Sequence, residues 1–590
     1  MYRHKVVWSA LIGLVLGVLA GTAEVLRLTW FVRGVGFRPE LLVYAWVIDG
    51  GALAAIGLLA GVVWTLWGWR RQRRRASAPP ARTGPTGRIV PARGASRRAV
   101  LRLATAGVAS LGVLSIAGLA RQSESLAATV RQARDVALSG PDGGGSPPPN
   151  ILLVTVDTLR ADQLGSYGHP FVKTPALDAV AAQGARFVTH TIQEPQTNPS
   201  HASMFTGMYP SSSGVRIHMV DKLPDSLDTL ATVFSQAGYA TAGLYSWMSF
   251  DSQYSNFQRG FQVYQDLTLN KPGLLSNPIV QQGAASYRVA EQYLLVPQVA
   301  NSVTGLNQQV ESNSKGRADR TTDAAIAQLK SFGSQPFFMW LHYFDPHYPY
   351  EPPGQYATLY DAGYTGKLKG DIDTVEAIIN GQVHPAPADL QRLLSLYQGE
   401  ISYMDSQISR LFSALDSLGL TQSTVVAVTG DHGESFAEHT DFEEDGNIFH
   451  PRSLYDVEQR VPLLLRYPAR IQPGTVVTAP TQSIDLFPTF LELAGLPASH
   501  QAQGKSVVGL LDGSDSGSAR LAFASMPDYV FTSVTAPGWK LIQNNASGQR
   551  RLYDLNGDPQ ETKDVWQANG EVGARLAAQL QSWMKAVKIS

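Results

Sequence analysis

Three short runs of apolar and β-branched residues most constrain the fold of this chain. Runs that are apolar throughout, rather than alternating, are typical of strands buried on both faces of a sheet. They occupy residues 151–156, 337–341 and 424–429. Stretches with a helical pattern lie between and around them, at residues 174–185, 227–237, 321–332, 390–418 and 482–494. Alternating strands and helices predict an α/β domain with a mainly parallel sheet covered on both sides.

Acidic residues and histidines follow each of these three predicted strands. Asp157 follows the first, Asp431 and His432 follow the last, and Asp345 and His347 come soon after the middle one. Ligands of such sheets bind beyond the carboxyl ends of the strands. One acid alone could be a helix cap or a turn residue. Three strands that all end in this way predict a shared polar site.

The segment TNPSHASMFTG, residues 197–207, places a hydroxyl group beside a predicted helix start. Pro199 suits the first helical position, where a missing N–H costs nothing. A residue just ahead of the helix, Thr197, then faces unpaired N–H groups and the positive end of the helix dipole, which favour a tetrahedral anion. Together with metal ligands from the segment TGDHGE, residues 429–434, this predicts a metal-activated hydroxyl that attacks a phosphate- or sulfate-like centre.

The first 120 of the 590 residues have a different character. Three apolar segments, 6–27, 42–69 and 99–120, flank an arginine-rich stretch at 70–98, and a linker follows at 121–148. The positive-inside rule predicts a cytoplasmic loop at 70–98 between membrane helices. We therefore expect a multi-pass protein in the cell membrane, with the lipid bilayer as a partner and the catalytic domain extracytoplasmic if the third segment spans. If that segment only lies on the surface, the domain stays inside.

The charge distribution argues against a nucleic-acid partner. Arginine is concentrated before residue 103 and acids dominate the later chain, although the formal net charge is zero. A basic run directly after an apolar segment is typical of membrane topology rather than of nucleic-acid binding. The chain contains no cysteine, which excludes disulfides and thiolate metal sites.

Residues 149–566 resemble the sulfatase family of the alkaline phosphatase superfamily. The resemblance is carried by seven segments in the family order, of which no single one is decisive. They are residues 150–162, 197–210 (TNPSHASMFTGMYP), 342–353 (HYFDPHYPYEPP), 429–439 (TGDHGESFAEH), 454–468, 483–496 (SIDLFPTFLELAGL) and 552–561 (LYDLNGDPQE). The resemblance implies an alkaline phosphatase-like sandwich, with a catalytic core at 149–475 and a smaller C-terminal part at 476–590.

The nucleophile segment departs from the family pattern. The family has Cys or Ser, then Pro two residues later and Arg four residues later, and converts the first residue to formylglycine. Here these positions are Thr197, Pro199 and His201. Threonine is not a known substrate of that conversion, so no formylglycine is expected. A threonine is similar to the phosphorus-centred branches: nucleotide phosphodiesterases, phosphopentomutases and lipoteichoic acid synthases with their phosphoglycerol-transferring relatives.

The resemblance also implies roles for the candidate residues. Asp157, Thr197, Asp431 and His432 would bind one divalent metal ion. With an imidazole among the ligands, Mn, Zn or Mg is expected in preference to Ca. His347 or His450 would protonate the leaving group, and His201, Asp345 and His439 would contact substrate. A second metal bound by Asp345, His347, His439 and His450 remains an open alternative, as does a structural role for His439 or His450.

The predicted function is that of a membrane-anchored, metal-dependent hydrolase or transferase that acts on phosphate esters or diesters through Thr197. Tethering to a membrane fits a substrate of the cell envelope. Two alternatives stay open at this point. One is a sulfatase that cleaves sulfate esters without formylglycine, and the other is a non-catalytic, membrane-tethered binding protein that has kept the fold.

Overall fold

The computed structural model of the protein describes residues 147–268, 317–439, 448–450 and 453–589. The predicted membrane segments at 6–27, 42–69 and 99–120, the arginine-rich loop and nearly all of the linker lie outside these residues. Residues 269–316 also lie outside the described residues. They include most of the segment 266–314, which matches none of the family motifs.

The described residues form sixteen strands, numbered here in chain order. They are β1 Asn150–Val156, β2 Ala185–Phe187, β3 His190–Thr191, β4 Ala240–Tyr245, β5 Val263–Asp266, β6 Phe337–Tyr343, β7 Thr424–Gly430, β8 Ser435–Phe436, β9 Ile448–Phe449, β10 Leu463–Arg466, β11 Thr475–Val477, β12 Thr481–Gln482, β13 Ala522–Ser525, β14 Phe531–Ala536, β15 Trp539–Asn544 and β16 Arg550–Asp554.

Eleven α-helices accompany these strands. They are α1 Pro175–Gln183, α2 Thr197–Thr206, α3 Pro210–Ser213, α4 Leu230–Gln236, α5 Ala318–Phe332, α6 Ile372–Ile379, α7 Pro387–Ser417, α8 Asp456–Gln459, α9 Leu486–Leu493, α10 Val508–Asp512 and α11 Gly570–Ala586. Each of the five predicted helical stretches overlaps one of them, so those helices are confirmed, although α5 and α7 begin three residues earlier than predicted.

The central sheet has eight strands in the order β11-β2-β10-β7-β1-β6-β4-β5. β1 lies at its centre and is parallel to both neighbours, β6 and β7, and all three strands are buried along their whole length. Only β10 runs antiparallel to its neighbours. The prediction of a mainly parallel sheet with three fully buried strands is therefore confirmed.

The register of these strands brings their carboxyl ends to one edge of the sheet. Val156 at the end of β1 lies opposite Tyr343 of β6 and Gly430 of β7. Backbone hydrogen bonds extend the pairing by one residue on each side. Asp157 N–H donates to the Tyr343 carbonyl at 2.9 Å, and Asp431 N–H donates to the Val156 carbonyl at 3.1 Å. The two acids thus leave the sheet side by side.

Helix α2 begins two residues earlier than predicted, at Thr197 instead of Pro199. None of the first four N–H groups of a helix has an intrahelical acceptor, so a proline is tolerated throughout the first turn and not only at its first position. Thr197 is consequently the first helical residue. It still lies at the positive end of the helix dipole.

A second, smaller sheet lies in the C-terminal part of the chain. It is antiparallel, in the order β13-β14-β15-β16, and helix α11 packs on it through an apolar cluster that includes Leu541, Leu580 and Trp583. Strand β11, which spans the predicted boundary at 475/476, belongs to the large sheet. The division into 149–475 and 476–590 stays a prediction.

The predicted location in the cell membrane as a multi-pass protein must be corrected. Among the described residues, no helix combines the length and the apolar character that a membrane crossing requires. The longest helix, α7, has 31 residues but carries six charged side chains, and its apolar face packs into the core. The segments on which the prediction was based are outside the described residues.

Candidate active site

Two buried carboxyl groups form the centre of the site. Asp157 and Asp431 are 0% exposed. Neither carboxyl oxygen of Asp157 has a hydrogen-bond partner among the described residues, and the same is true of Oδ2 of Asp431. Oδ1 of Asp431 accepts from the backbone N–H groups of Thr158 at 3.1 Å and His432 at 2.8 Å. Buried polar atoms are rarely left without a hydrogen bond, so these three oxygens are suited to bind a cation.

The electrostatics of the two acids agree with this interpretation. Burial raises the pKa of Asp157 to about 7, and His432 only partly offsets the effect. Burial also raises the pKa of Asp431, and the neighbouring charge of Asp157 raises it further. In the described residues the ion-pair partners of both acids are histidines, with no lysine or arginine among them. A divalent cation would supply the positive charge that the side chains lack.

His432 presents a nitrogen lone pair to the same space. Its Nδ1 lies 2.9 Å from the Gly433 carbonyl, which can only accept, so Nδ1 carries the proton. In the neutral ring Nε2 is then the nitrogen with the free lone pair, and it lies 3.6 Å from Oδ1 of Asp157 and 3.9 Å from Oδ2 of Asp431. A backbone carbonyl that fixes the tautomer in this way is typical of metal-binding histidines.

The Thr197 hydroxyl completes this group. Its Oγ1 lies 3.4 Å from Nε2 of His432, and the residue is 5% exposed at the start of α2. The next turn is fixed from outside the helix, because the Ser200 hydroxyl donates to the Asp431 carbonyl at 2.6 Å. The four residues predicted as metal ligands are thus brought together, and three of them, Asp157, Asp431 and His432, have ligand atoms within 4.8 Å of one another.

His201 contacts the backbone of Thr197 and not its hydroxyl group. It is 0% exposed, its Nδ1–H donates to the Thr197 carbonyl at 2.8 Å, and its Nε2 lies 2.9 Å from the Thr155 hydroxyl. The same hydroxyl accepts from the indole N–H of Trp340 at 2.9 Å. Burial lowers the pKa of His201 to about 3, so the ring is neutral. This placement supports the nucleophile backbone; a substrate contact stays a prediction.

His347 and His450 form a pair on one side of the metal ligands. Their Nε2 atoms are 3.0 Å apart, and the ring centroid of His450 lies 5.2 Å from that of His432. The side chain of His450 is 31% exposed, and on its other side Nδ1 lies 3.5 Å from Oε1 of Glu434. The two residues predicted to protonate a leaving group therefore adjoin each other, and one of them is open to solvent.

Asp345 and His439 are the other two residues predicted to contact substrate. Asp345 is 2% exposed and follows β6, where it faces Arg317 and Tyr403. His439 is 7% exposed and stacks on Tyr455, with ring centroids 3.7 Å apart and planes 6° apart. Their roles in substrate binding stay predictions.

His342 belongs to the site but was not selected from the sequence. It is buried at the end of β6, opposite Thr155 of β1, and its Nε2 lies 3.5 Å from Oδ2 of Asp157. With His201 and Asp431 it forms a second group that could hold a metal ion. Burial lowers its pKa to about 4. It opens the motif HYFDPHYPYEPP, so its place at a strand end was the available signal.

The chemistry of the donor set fits one divalent cation. Asp157, Asp431, His432 and Thr197 offer two carboxylates, an imidazole and a hydroxyl. Mixed oxygen and nitrogen ligands suit Mn, Zn or a similar ion, whereas Ca prefers oxygen alone. The described residues thus supply a place for such an ion, a hydroxyl group beside it and a histidine pair nearby.

Comparison with known proteins connects this arrangement to characterised enzymes. The family model described as Sulfatase matches residues 149–496, and a second model, described as N-sulphoglucosamine sulphohydrolase, C-terminal, matches residues 444–589. An arylsulfatase of Clostridium perfringens is 26% identical over 461 residues, which cover 71% of this chain and 90% of that protein.

Solved structures show the same fold at lower identity. A phosphonate monoester hydrolase from Silicibacter pomeroyi superposes with a TM-score of 0.55 at 24% identity. The match covers 74% of this chain and 95% of the hydrolase chain. A protein solved with its substrate D-glucosamine-2-N,6-O-disulfate has a TM-score of 0.58 at 19% identity, over 75% of this chain and 98% of its own. These likenesses confirm the predicted alkaline phosphatase-like architecture.

Proposed function

The chain belongs to the sulfatase family, and we propose that this hydrolase of the alkaline phosphatase superfamily cleaves phosphate esters, diesters foremost, with Thr197 as its nucleophile. One observation carries the proposal: the Thr197 hydroxyl lies 3.4 Å from Nε2 of His432, beside carboxyl oxygens of Asp157 and Asp431 that make no hydrogen bond with the described residues. Since the relatives are enzymes, the alternative of a non-catalytic binding protein is dropped.

The identity of the nucleophile favours phosphorus over sulfur. The chain has no cysteine that could become formylglycine, and the nucleophile position is a threonine. Where the family pattern has arginine, His201 donates to the Thr197 backbone instead. A plain hydroxyl forms a phosphoester intermediate that water can open. We therefore expect no formylglycine in the active protein.

The charge of the site favours a diester over a phosphate monoester. The charges of the two carboxylates and of one divalent cation would cancel. His201 and His342 are neutral, because burial lowers the pKa of His201 to about 3 and that of His342 to about 4. A phosphodiester carries one negative charge and a monoester nearly two, which would need further cations. Phosphonate monoesters, after which the hydrolase from Silicibacter pomeroyi is named, also carry one charge.

The reaction follows from the placement of the side chains. A divalent cation held by Asp157, Thr197, Asp431 and His432 would lower the pKa of the Thr197 hydroxyl and offset charge on the phosphoryl oxygens. The Thr197 oxygen, whose proton passes to solvent water, forms a bond to phosphorus, while the bond from phosphorus to the leaving oxygen breaks. The leaving oxygen takes a proton from the pair of His347 and His450.

The second half of the reaction releases the phosphoryl group from Thr197. Water attacks phosphorus after giving its proton to the same histidine pair, and Thr197 leaves. An acceptor hydroxyl in place of water would turn hydrolysis into transfer. The positive end of the α2 dipole favours the anionic centre in both halves.

A direct test compares the full chain, supplied with Mn, on three nitrophenyl substrates: a phosphodiester, a phosphomonoester and a sulfate ester. We expect diester cleavage to exceed the other two, and Thr197→Ala to reduce it by about a thousandfold or more. Thr206→Ser, a change at the far end of the same helix, is the matched control. If Thr197→Ala cleaves the diester at a rate within about tenfold of that of the unchanged protein, the proposal is contradicted.

Sulfate ester hydrolysis without formylglycine is the second candidate. Both matching family models carry the names of sulfate-releasing enzymes, and so does the relative from Clostridium perfringens. Release of sulfate that depends on Thr197 and exceeds diester cleavage would favour this candidate in the same assay.

A further inference from the structure

Thr158 has an unusual backbone conformation directly beside the proposed metal ligand Asp157. Its φ is 53°, in the left-handed region, and the residue is 0% exposed. In this region the Cβ crowds the backbone, and a β-branched residue is a genuine outlier there. Among the described non-glycine residues with a positive φ, Thr158 is the only β-branched one. Such conformations persist only where the surrounding structure holds them, and they cluster at functional sites.

Thr158 is connected to both buried acids of the site. Its N–H donates to Oδ1 of Asp431 at 3.1 Å, and its peptide bond joins it to Asp157. The same Oδ1 accepts from the His432 N–H at 2.8 Å, whereas Oδ2 makes no hydrogen bond with the described residues. The conformation of Thr158 therefore affects the direction of both carboxyl groups.

A tyrosine from a distant helix closes the turn at Thr158. The Tyr397 hydroxyl donates to the Thr158 carbonyl at 2.6 Å and accepts from the Arg160 N–H at 3.2 Å. Neither backbone group has another hydrogen-bond partner in the part of the chain that the structure describes. Since one hydroxyl can donate and accept at the same time, it links the two ends of this short turn. Tyr397 thus supplies support that the left-handed residue needs.

The fold fixes the position of Tyr397. It lies in α7, is 0% exposed and belongs to the main apolar cluster. Its ring packs against Tyr350 and Phe436, with centroids 6.0 Å and 5.3 Å away. The next residue, Gln398, donates from Nε2 to Oε1 of Gln163 at 2.9 Å. Helix α7 is therefore joined to the segment after β1 at two neighbouring points.

We infer that Tyr397 is a positioning residue for the metal site: its hydroxyl keeps residues 158–160 in the left-handed turn that aligns Asp157 and Asp431 for a divalent cation. The inference rests on the proposed function, which uses that cation. Tyr397 acts only through the turn and contacts neither substrate nor ion. Glycine adopts a positive φ without steric cost. A glycine at position 158 should therefore make the support of the hydroxyl dispensable.

The Mn affinity of the full chain, measured by isothermal titration, separates this role from a structural one. For Tyr397→Phe, which removes only the hydroxyl, we expect Mn affinity to fall about 10- to 100-fold, the range for residues that support metal ligands. Thr158→Gly alone should change the affinity by less than about threefold, because glycine keeps the N–H and the Thr158 hydroxyl makes no hydrogen bond with the described residues. In the double variant, glycine should restore Mn affinity to within about threefold of the unchanged chain.

Tyr167→Phe is the matched control. The Tyr167 hydroxyl also joins two backbone groups, because it donates to the Phe187 carbonyl at 2.9 Å and accepts from the Leu463 N–H at 3.0 Å. These groups belong to β2 and β10, which carry no proposed metal ligand. This control should lower the melting temperature and leave Mn affinity unchanged. Unchanged Mn affinity in Tyr397→Phe, or a double variant that binds Mn as weakly as Tyr397→Phe, would overturn the inference.

Two further measurements keep the outcomes distinct. If Tyr397→Phe alone does not fold, the double variant decides: Mn affinity within about threefold of the unchanged chain supports the inference, and any other result overturns it. Asp157→Asn removes a proposed ligand. If Asp157→Asn binds Mn as tightly as the unchanged chain, the proposed function fails at its metal site, and the inference fails with it. If Asp157→Asn loses Mn while Tyr397→Phe binds it normally, only this inference fails.

Discussion

The Thr197 hydroxyl lies 3.4 Å from Nε2 of His432, although the two residues are 235 positions apart in the chain. The contact exists because α2 starts where β7 ends, and the Ser200 hydroxyl is hydrogen-bonded to the Asp431 carbonyl. The fold therefore fixes the proposed nucleophile and the proposed metal ligand to each other.

The buried acid Asp157 should make the metal-free protein sensitive to pH. Its pKa is raised by burial from 3.8 to about 7, so the folded state binds this proton more tightly than the unfolded state. The free energy of unfolding should fall as pH rises from about 4 to about 7, by a few kcal/mol at most, since one pKa unit is about 1.4 kcal/mol. Urea titrations of the metal-free chain at several pH values measure this.

Asp157→Asn is the matched variant for that experiment. It removes the buried charge, so it should flatten the pH dependence and raise the stability of the metal-free protein above pH 7. It should also abolish the increase in melting temperature on addition of Mn. An unchanged response to Mn would show that the cation binds elsewhere.

Replacing His432 should change the preference among metals. His432→Asn exchanges the imidazole for an oxygen donor, which favours Ca over Mn or Zn. Loss of a residue that only hydrogen-bonds to a metal ligand lowers metal affinity by about 10- to 100-fold. For the ligand His432 itself we therefore expect Mn affinity to drop by at least this much. Isothermal titration with Mn and Ca measures both changes. Equal losses for the two ions would argue against direct ligation by His432.

Replacing His201 should affect both stability and turnover. His201→Leu removes the donor to the Thr197 carbonyl and a partner of the Thr155 hydroxyl, at a cost of about 1–3 kcal/mol. We also expect kcat to fall, because the nucleophile loses its support. His190→Leu is the control: His190 is equally buried and lies between the hydroxyls of Thr481 and Ser483. It should destabilise without lowering kcat of the folded fraction.

A buried ion network attaches the small sheet to the segment that follows His450. Nζ of Lys540 in β15 lies 2.6 Å from Asp456 in α8 and 2.9 Å from Glu561, and Lys540 is 0% exposed. Lys540→Met leaves the buried acid Glu561 without its cation and leaves the part-buried Asp456 only its more distant partner Arg460, and it should cost about 3–5 kcal/mol. Lys585→Met, on the exposed face of α11, should be neutral. Thermal unfolding of both variants gives the comparison.

The sequence was sufficient for the sheet and for the centre of the site, for a physical reason. Strands β1, β6 and β7 are mostly apolar and fully buried, and Asp157 and Asp431 follow two of them directly, so local pattern and position in the fold agree. Two other placements depend on tertiary contacts. His342 lies within β6 as one more strand residue, and the position of Glu434 beside His450 depends on the register of β8 and β9.

The start of α2 was misplaced because Pro199 was treated as a marker of the first position, whereas the whole first turn tolerates proline. The place of His201 in the family pattern predicts a substrate contact, which stays a prediction. The burial of His201 against Thr155 and Trp340 could not be seen without the neighbouring strands.

The central claim is that Thr197 becomes covalently phosphorylated during turnover. The most direct measurement is peptide mass spectrometry of the Mn-loaded full chain, quenched in acid during cleavage of a phosphodiester. The account predicts a phosphoryl adduct on the peptide that contains Thr197, and its absence in Thr197→Ala. Steady turnover with an unmodified Thr197, or an adduct on another residue, would contradict it.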